Sequence, residues 1–296
     1  MVNILSFDIE DWFHPEVFED RFPMATWEQL ESRVERNTEI ILTFLQRKQL
    51  HATFFILGWV AEKHPQLVKA IAEEGHEIAC HSYSHTMITK LTPQSFREEL
   101  QRSLSILREI SQQPVVGFRA PTFSVVKQTL WALPIMFEAG IRYDSSIFPI
   151  YHDRYGIPDA PREPFVIYYQ EGISLIEYPM TTVKLMGMNF PFGGGGYFRL
   201  YPFWLSRQLM KKCVQEGRPI IFYAHPWEFD TNLPKVNLNF LSKIRHYTGI
   251  KKFIERLDAV TDMFPFTAFR DAGLDTMIKE HKVPEEFHVS PSLPGA

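Results

Sequence analysis

A chain of 296 residues with 45% apolar and 22% charged residues can bury one large core, enough for a barrel-sized unit. Its 31 basic and 35 acidic residues give a formal net charge of -4 without long single-sign runs, which excludes the basic footprint of a nucleic-acid binder. The opening "MVNILSFDIEDWF" lacks the features of a secretory signal, no apolar run approaches the roughly 20 residues of a membrane helix, and Cys80 and Cys213 make no disulfide framework. The expected location is therefore cytoplasmic, with no membrane segment.

In chain order, "NILSFDI" (3–9) reads as a buried strand, and Thr26, with Gln29 three residues on, opens a helix whose apolar face runs Leu30, Val34, Ile41, Leu45. "ATFFIL" (52–57) is the next strand, followed by a helical stretch to the C-capping Gly75 and by the strand "HEIAC" (76–80). Thr92 and Pro93 are placed as N-cap and first residue of a helix reaching Gln112. "VVGFR" (115–119), a helix from Lys127 to Ala139 and "IRYDS" (141–145) continue the alternation, which is that of a parallel sheet covered by helices, open or closed into a barrel. Residues 146–201 break the rhythm with prolines, short β-like runs such as "FVIYY" and "SLIEYP", and "FGGGGYF", and read as an irregular β/loop insertion. A helix over 203–216, the strand "PIIFYA" (219–224) and a helix over 248–262 restore it. Residues 1–280 are expected to form one domain, and the tail 281–296, rich in Pro, Glu and Ser, to be disordered.

Each strand ends in polar residues: Asp8, Glu10 and Asp11, then His81 and His85, Arg119, Asp144 and His225. The carboxyl ends of strands face the active site in α/β barrels and open parallel sheets, so these side chains are expected to converge. Two histidines four apart with an acid from the first strand match a catalytic zinc that keeps a position open for water. Cys80 is a weak ligand candidate and a better buried apolar residue. The glycine run lacks the Lys-Ser/Thr of a phosphate loop, and with Tyr197, Phe198 and Arg199 beside it reads as a lid over the site that closes on a sugar or an anionic carrier. Trp12, Phe13 and Trp227 are placed either stacking on a sugar ring or in the core. His14 and Glu228 adjoin motif residues as supports for the ligands or the acid, whereas His51, His64, His76 and His246 show no partner pattern and read as surface or structural.

The order "SFDIEDW", "HSYSH", "FRAP", "YDSS", "FYAH" resembles the five motifs of the NodB-homology polysaccharide deacetylases, carbohydrate esterase family 4, over residues 3–228. The second motif, His-Ser/Thr-x-x-His, and the third, Arg-x-Pro, are both met. "FDIEDWFH", "GGGGYFRLYP" and "HPWEFD" resemble the branch attached to exopolysaccharide loci, related to peptidoglycan deacetylase and allantoinase-like members. The resemblance implies a distorted (β/α) barrel with fewer than eight strands and a metal-dependent N-deacetylase acting on N-acetylated amino sugars in polysaccharide or cell-envelope biosynthesis. It implies Asp8 as general base, His81 and His85 as metal ligands, His225 as general acid, Arg119 as the partner of Asp8 and Asp144 as the partner of His225. The oxyanion is then expected between the metal and a backbone N–H at Thr122.

The implied cofactor is Zn2+, with Co2+, Ni2+ or Fe2+ compatible with the same donors. The implied partner is an N-acetylated sugar or polysaccharide precursor, nucleotide- or lipid-linked for a cytoplasmic enzyme, and the branch implies a homo-oligomer. Two departures from the family pattern stand out. Its adjacent aspartates are replaced here by Asp8-Ile9-Glu10-Asp11, so the third ligand is Glu10, which shares a strand face with Asp8, or Asp11 if the strand ends earlier. Thr122-Phe123 stands where many members carry Tyr-Gly. The rival readings are an allantoinase-like cyclic amidase or a deformylase on the same scaffold, and a non-catalytic carbohydrate-binding member.

Overall fold

The computed structural model describes residues 2–170 and 173–273; the tail over 281–296 lies outside the described residues. Its strands are β1 (Asn3–Ile9), β2 (Thr53–Ile56), β3 (Glu77–Cys80), β4 (Gly117–Phe118), β5 (Tyr143–Asp144), β6 (Phe165–Gln170), β7 (Ile173–Glu177), β8 (Thr182–Leu185), β9 (Met188–Pro191), β10 (Ile221–Ala224) and β11 (Phe266–Thr267). The helices are α1 (Val34–Lys48), α2 (Gly58–Lys63), α3 (Pro65–Glu73), α4 (Pro93–Ser111), α5 (Ala132–Glu138), α6 (Gly195–Leu200), α7 (Phe203–Gln215), α8 (Phe240–Tyr247) and α9 (Phe253–Met263).

A curled nine-stranded sheet runs β10-β1-β2-β3-β4-β5-β7-β6, with β11 beside the start of β1. All its pairings are parallel except β6 with β7. Part of the stretch expected as an insertion thus extends the main sheet through β7 and β6, while β8 and β9 form a separate hairpin. The alternation of side chains along the strands separates two apolar layers. Leu5, Phe7, Phe54, Ile56 and Ile78 pack with Val68, Leu100 and Leu104 of the helices. Ile4, Phe55, Ala79, Tyr143 and Tyr223 point to the other, concave face.

Register sets the site. Ile9 pairs with Ile56, Ile56 with Cys80, Cys80 with Phe118, and Phe118 with Asp144, so these carboxyl ends lie level. The next residues, Glu10, His81 and Arg119, therefore leave the sheet at one rim. On the other side Phe7 pairs with Ala224, which sets Asp8 level with His225.

Local chemistry accounts for several element ends. Thr92 caps α4 by accepting from the Ser95 amide at 3.1 Å, with Pro93 next. The helical stretch after β2 is broken at His64, because Pro65 disfavours helical backbone in the residue before it. The helix expected from Thr26 begins only at Val34, since Met24–Gln29 form a 3-10 turn. The expected helix 248–262 is α9, starting at Phe253 after a separate turn at Ile250–Lys252.

Candidate metal and catalytic site

Glu10, His81 and His85 each offer a ligand atom, and the three atoms lie within 4.8 Å of one another. Glu10 follows β1, and the two histidines sit on the loop after β3, held from below by α4. Ser82 Oγ and Ser84 Oγ donate to the Glu99 carboxylate at 2.9 and 2.5 Å, and Ser103 Oγ donates to the Ser82 carbonyl at 2.8 Å. This bracing holds Ser82 (φ 64°) and His85 (φ 57°) in left-handed backbone, a strained state for such residues that clusters at functional sites. His81 Nδ1 lies 2.8 Å from the Arg119 carbonyl, which must accept a proton from it, so Nε2 carries the free lone pair. Burial lowers the His81 pKa to about 4, keeping the imidazole in its ligand form.

The donors fit a cation. Glu10 Oε2 is buried and has no hydrogen-bond partner of acceptable geometry, although His85 Nε2 is 2.7 Å away. A buried carboxylate oxygen within reach of two imidazole nitrogens is a donor set that a divalent cation takes. Burial acts to raise the Glu10 pKa, but facing His85 and His225 hold the carboxylate well below its usual range. Its other oxygen accepts from Trp227 Nε1 at 3.1 Å.

Asp8 is buried on the concave face. Arg119 Nη1 donates to Asp8 Oδ1 at 2.7 Å and lies 2.9 Å from Ser6 Oγ, while Nε and Nη2 donate to the carbonyl and hydroxyl of Ser145 at 3.2 and 3.0 Å. The guanidinium is wholly buried, 4.1 Å above the Phe55 ring. A cavity of about 230 Å³ opens above these groups, lined among others by Asp8, His81, Thr122, Tyr155, Tyr223 and His225. Thr122 at its wall has φ 54° and ψ 27°, costly for a β-branched residue.

His225 follows β10 and lines the same cavity. Burial acts to lower its pKa, yet Glu10 and Glu228 together raise it to about 9. Nδ1 lies 3.1 Å from Glu228 Oε2, leaving Nε2, 3.6 Å from Glu10 Oε1, toward the ligand cluster. Glu228 in turn accepts from Arg199 Nε at 2.6 Å, a fully buried ion pair. The imidazole stacks on Trp227 at 5.0 Å, and Trp227 also stacks on His246 at 4.6 Å.

Several expectations change. Asp144 does not reach His225: it belongs to β5, far along the sheet from β10, where it accepts from Ser146 Oγ at 2.5 Å beside Glu177. Burial raises its pKa to about 6. Glu228 occupies the place proposed for it, and the signal was in the sequence, because a Glu three residues after His225 can fold back across a single turn. Asp11 points away from the cluster; Oδ2 accepts from Ser32 Oγ and from the amides of Arg33 and Val34 at 2.6, 2.8 and 3.2 Å, capping the start of α1. His14 supports this turn, its Nδ1 accepting from the Asp11 amide at 2.8 Å.

Trp12 is core, edge-on to Phe13, Phe18 and Phe22, with Nε1 donating to the Glu31 carbonyl. Trp227 lines the cavity, but its ring is engaged by two histidines. Cys80 is buried in β3 with its thiol pushed up to about 11 by burial. The glycine run is no lid. Gly194 bridges to Tyr223 beside β10, and α6 starts at Gly195, where a Cβ would stand 2.0 Å from Glu228 Oε2. Arg199 is thereby spent on Glu228. Tyr155 and Glu16 line the cavity without a motif to announce them, and Tyr223 does so from within "FYAH".

Residues 19–142 match the polysaccharide deacetylase family, and residues 145–273 match a domain of unknown function, DUF3473. A peptidoglycan-N-acetylglucosamine deacetylase of Bacillus cereus is 36% identical over 96 residues, 32% of this chain and 35% of that protein. The peptidoglycan-N-acetylglucosamine deacetylase PgdA of Listeria monocytogenes is 34% identical over 88 residues, 30% of this chain and 19% of that protein. The chain thus spans about a third or less of the length of these curated relatives. A crystal structure from Mycobacterium smegmatis, assigned as a polysaccharide deacetylase, superposes with a TM-score of 0.59 at 18% identity, over 95% of this chain and 92% of that one, and shares the fold.

Proposed function

We propose that this chain carries a polysaccharide deacetylase domain of the NodB, carbohydrate esterase family 4 type and is a metal-dependent hydrolase removing the acetyl group from an N-acetylated amino sugar, a reading that the family match over residues 19–142 supports. One observation carries the reading: in the cavity that holds the Glu10, His81, His85 cluster stand a carboxylate held by an arginine and an imidazole held by a carboxylate. A base and an acid lining one cavity are what amide hydrolysis requires.

Glu10 Oε2, His81 Nε2 and His85 Nε2 would hold the cation, and two imidazoles with one carboxylate suit zinc, with cobalt, nickel and iron accommodated by the same set. When bound, the ion supplies Lewis acidity to the acetamide carbonyl and acidifies water. Asp8, with Oδ1 engaged by Arg119, takes the proton of the attacking water on Oδ2. The backbone N–H of Thr122 receives the carbonyl oxygen as charge gathers on it, which gives its strained conformation a use. His225 Nε2 delivers its proton to the nitrogen as the C–N bond breaks, while Glu228 stays on Nδ1 and stabilises the charged ring. A role in polysaccharide or cell-envelope biosynthesis is part of this reading, supported by relatives named as peptidoglycan-N-acetylglucosamine deacetylases.

The deciding assay is acetate release from N-acetylglucosamine oligomers before and after chelation, run beside Asp8→Asn. Chelator-sensitive release that Asp8→Asn abolishes while bound metal persists supports the assignment. Undiminished turnover by Asp8→Asn, or no release by metal-loaded protein from any N-acetylated sugar, overturns it.

A further inference from the structure

The helix α8 turns apolar side chains outward beside basic residues. Phe240 and Leu241 are 75% and 65% exposed, and Ile244 is 38% exposed. At about 100° per residue these three span one side of the helix, while Lys243 and Arg245 flank that stripe on either edge and His246 turns into the protein. Lys235, Lys251 and Lys252 on the adjoining segments are also exposed, and no acidic residue occurs between Asp230 and Glu255. None of these five cations is in an ion pair among the described residues, whereas Arg33, Lys48 and Arg218 all have carboxylate partners. A basic apolar stripe on a chain of net charge -4 is a local feature, with a sign opposite to that of the molecule.

We propose that this face docks on an anionic lipid surface, Phe240, Leu241 and Ile244 entering the interface and the five cations meeting the headgroups. The proposed attachment is peripheral, through α8, and no described helix is long and apolar enough to cross a membrane. Charge complementarity favours this occupant over a second copy of the chain, because a twofold contact through this stripe would bring like charges together. The docked helix is tied to the candidate site. Arg199 donates to the carbonyls of Arg245 and His246 at 3.0 and 3.1 Å while holding Glu228, and His246 stacks on Trp227. Docking through α8 therefore sets the cavity close to the bilayer.

The test is co-sedimentation of the full chain with vesicles of phosphatidylcholine alone and of phosphatidylcholine mixed with phosphatidylglycerol. Binding is expected only with the anionic lipid and should weaken with added salt. Lys235→Gln with Lys243→Gln should weaken it about tenfold or more, and Phe240→Ser with Leu241→Ser should abolish it, both at an unchanged melting temperature. No binding, equal binding to neutral vesicles, or binding indifferent to both double variants overturns the proposal. So does a lipid-free dimer that Phe240→Ser with Leu241→Ser dissociates, since a second copy would then own the surface.

Discussion

Glu10 and Asp11 are adjacent in sequence and do opposite work. Strand alternation favoured Glu10 as ligand, but only the fold shows what Asp11 does instead, because its partners Ser32, Arg33 and Val34 lie on a distant turn. Glu10→Gln should therefore lose bound metal, while Asp11→Asn should keep it and lose about 1–2 kcal/mol of stability through the weakened cap; elemental analysis and denaturant melts of both variants check this. The acid is similarly resolved by its neighbour. His225 has a pKa raised to about 9, so its proton is available below that pH and lost as pH rises through it. Glu228→Gln removes one of the charges that raise it. The alkaline limb of the kcat/KM profile should then move to lower pH, with the rate at neutral pH down about tenfold or more. Asp144→Asn should leave that limb in place, because the Asp144 carboxyl serves Ser146 and not His225. A limb that moves with Asp144 and not with Glu228 would reverse the assignment.

At the scale of elements, the strands and their polar ends were legible because β1, β2 and β3 are buried runs bounded by turn residues, and α4 carries its cap in the sequence. The helix α8 was not, since an eight-residue segment that exposes Phe240 and Leu241 shows no core-facing period. The glycine run was misjudged for a related reason: its use is set by what approaches it from far away in sequence. Gly195 lets Glu228 sit against the start of α6, and a methyl there would collide with the carboxylate. Gly196, one residue on in the same helix, has nothing within 4 Å of such a methyl. Gly195→Ala should thus cost activity by displacing Glu228 from His225, whereas Gly196→Ala should keep activity and gain about 0.5–1 kcal/mol from helix propensity. Equal outcomes for the two, in paired kinetic and melting measurements, would mean that the run acts as a flexible unit after all.

For the whole molecule, the candidate ligands come from the ends of β1 and β3, with β2 between them. A bound ion would cross-link neighbouring strands at the rim without being needed to form them, because Phe7, Phe54, Ile56, Ile78 and Cys80 are already buried in one continuous apolar layer beneath. Metal should therefore shift stability, not decide folding, unlike the small domains that unfold without their ion. At a free concentration about 100 times Kd, binding to the folded state alone adds ~2.7 kcal/mol. With roughly 2–4 °C per kcal/mol for a chain of somewhat smaller size, the melting temperature should rise by about 5–10 °C. Chelation should reverse the rise while far-UV circular dichroism at 25 °C stays unchanged, and His81→Ala should melt at the same temperature with or without metal. Loss of secondary structure on chelation would instead make the ion part of the fold, and would mean that the level register of β1, β2 and β3 is a consequence of the site and not its cause.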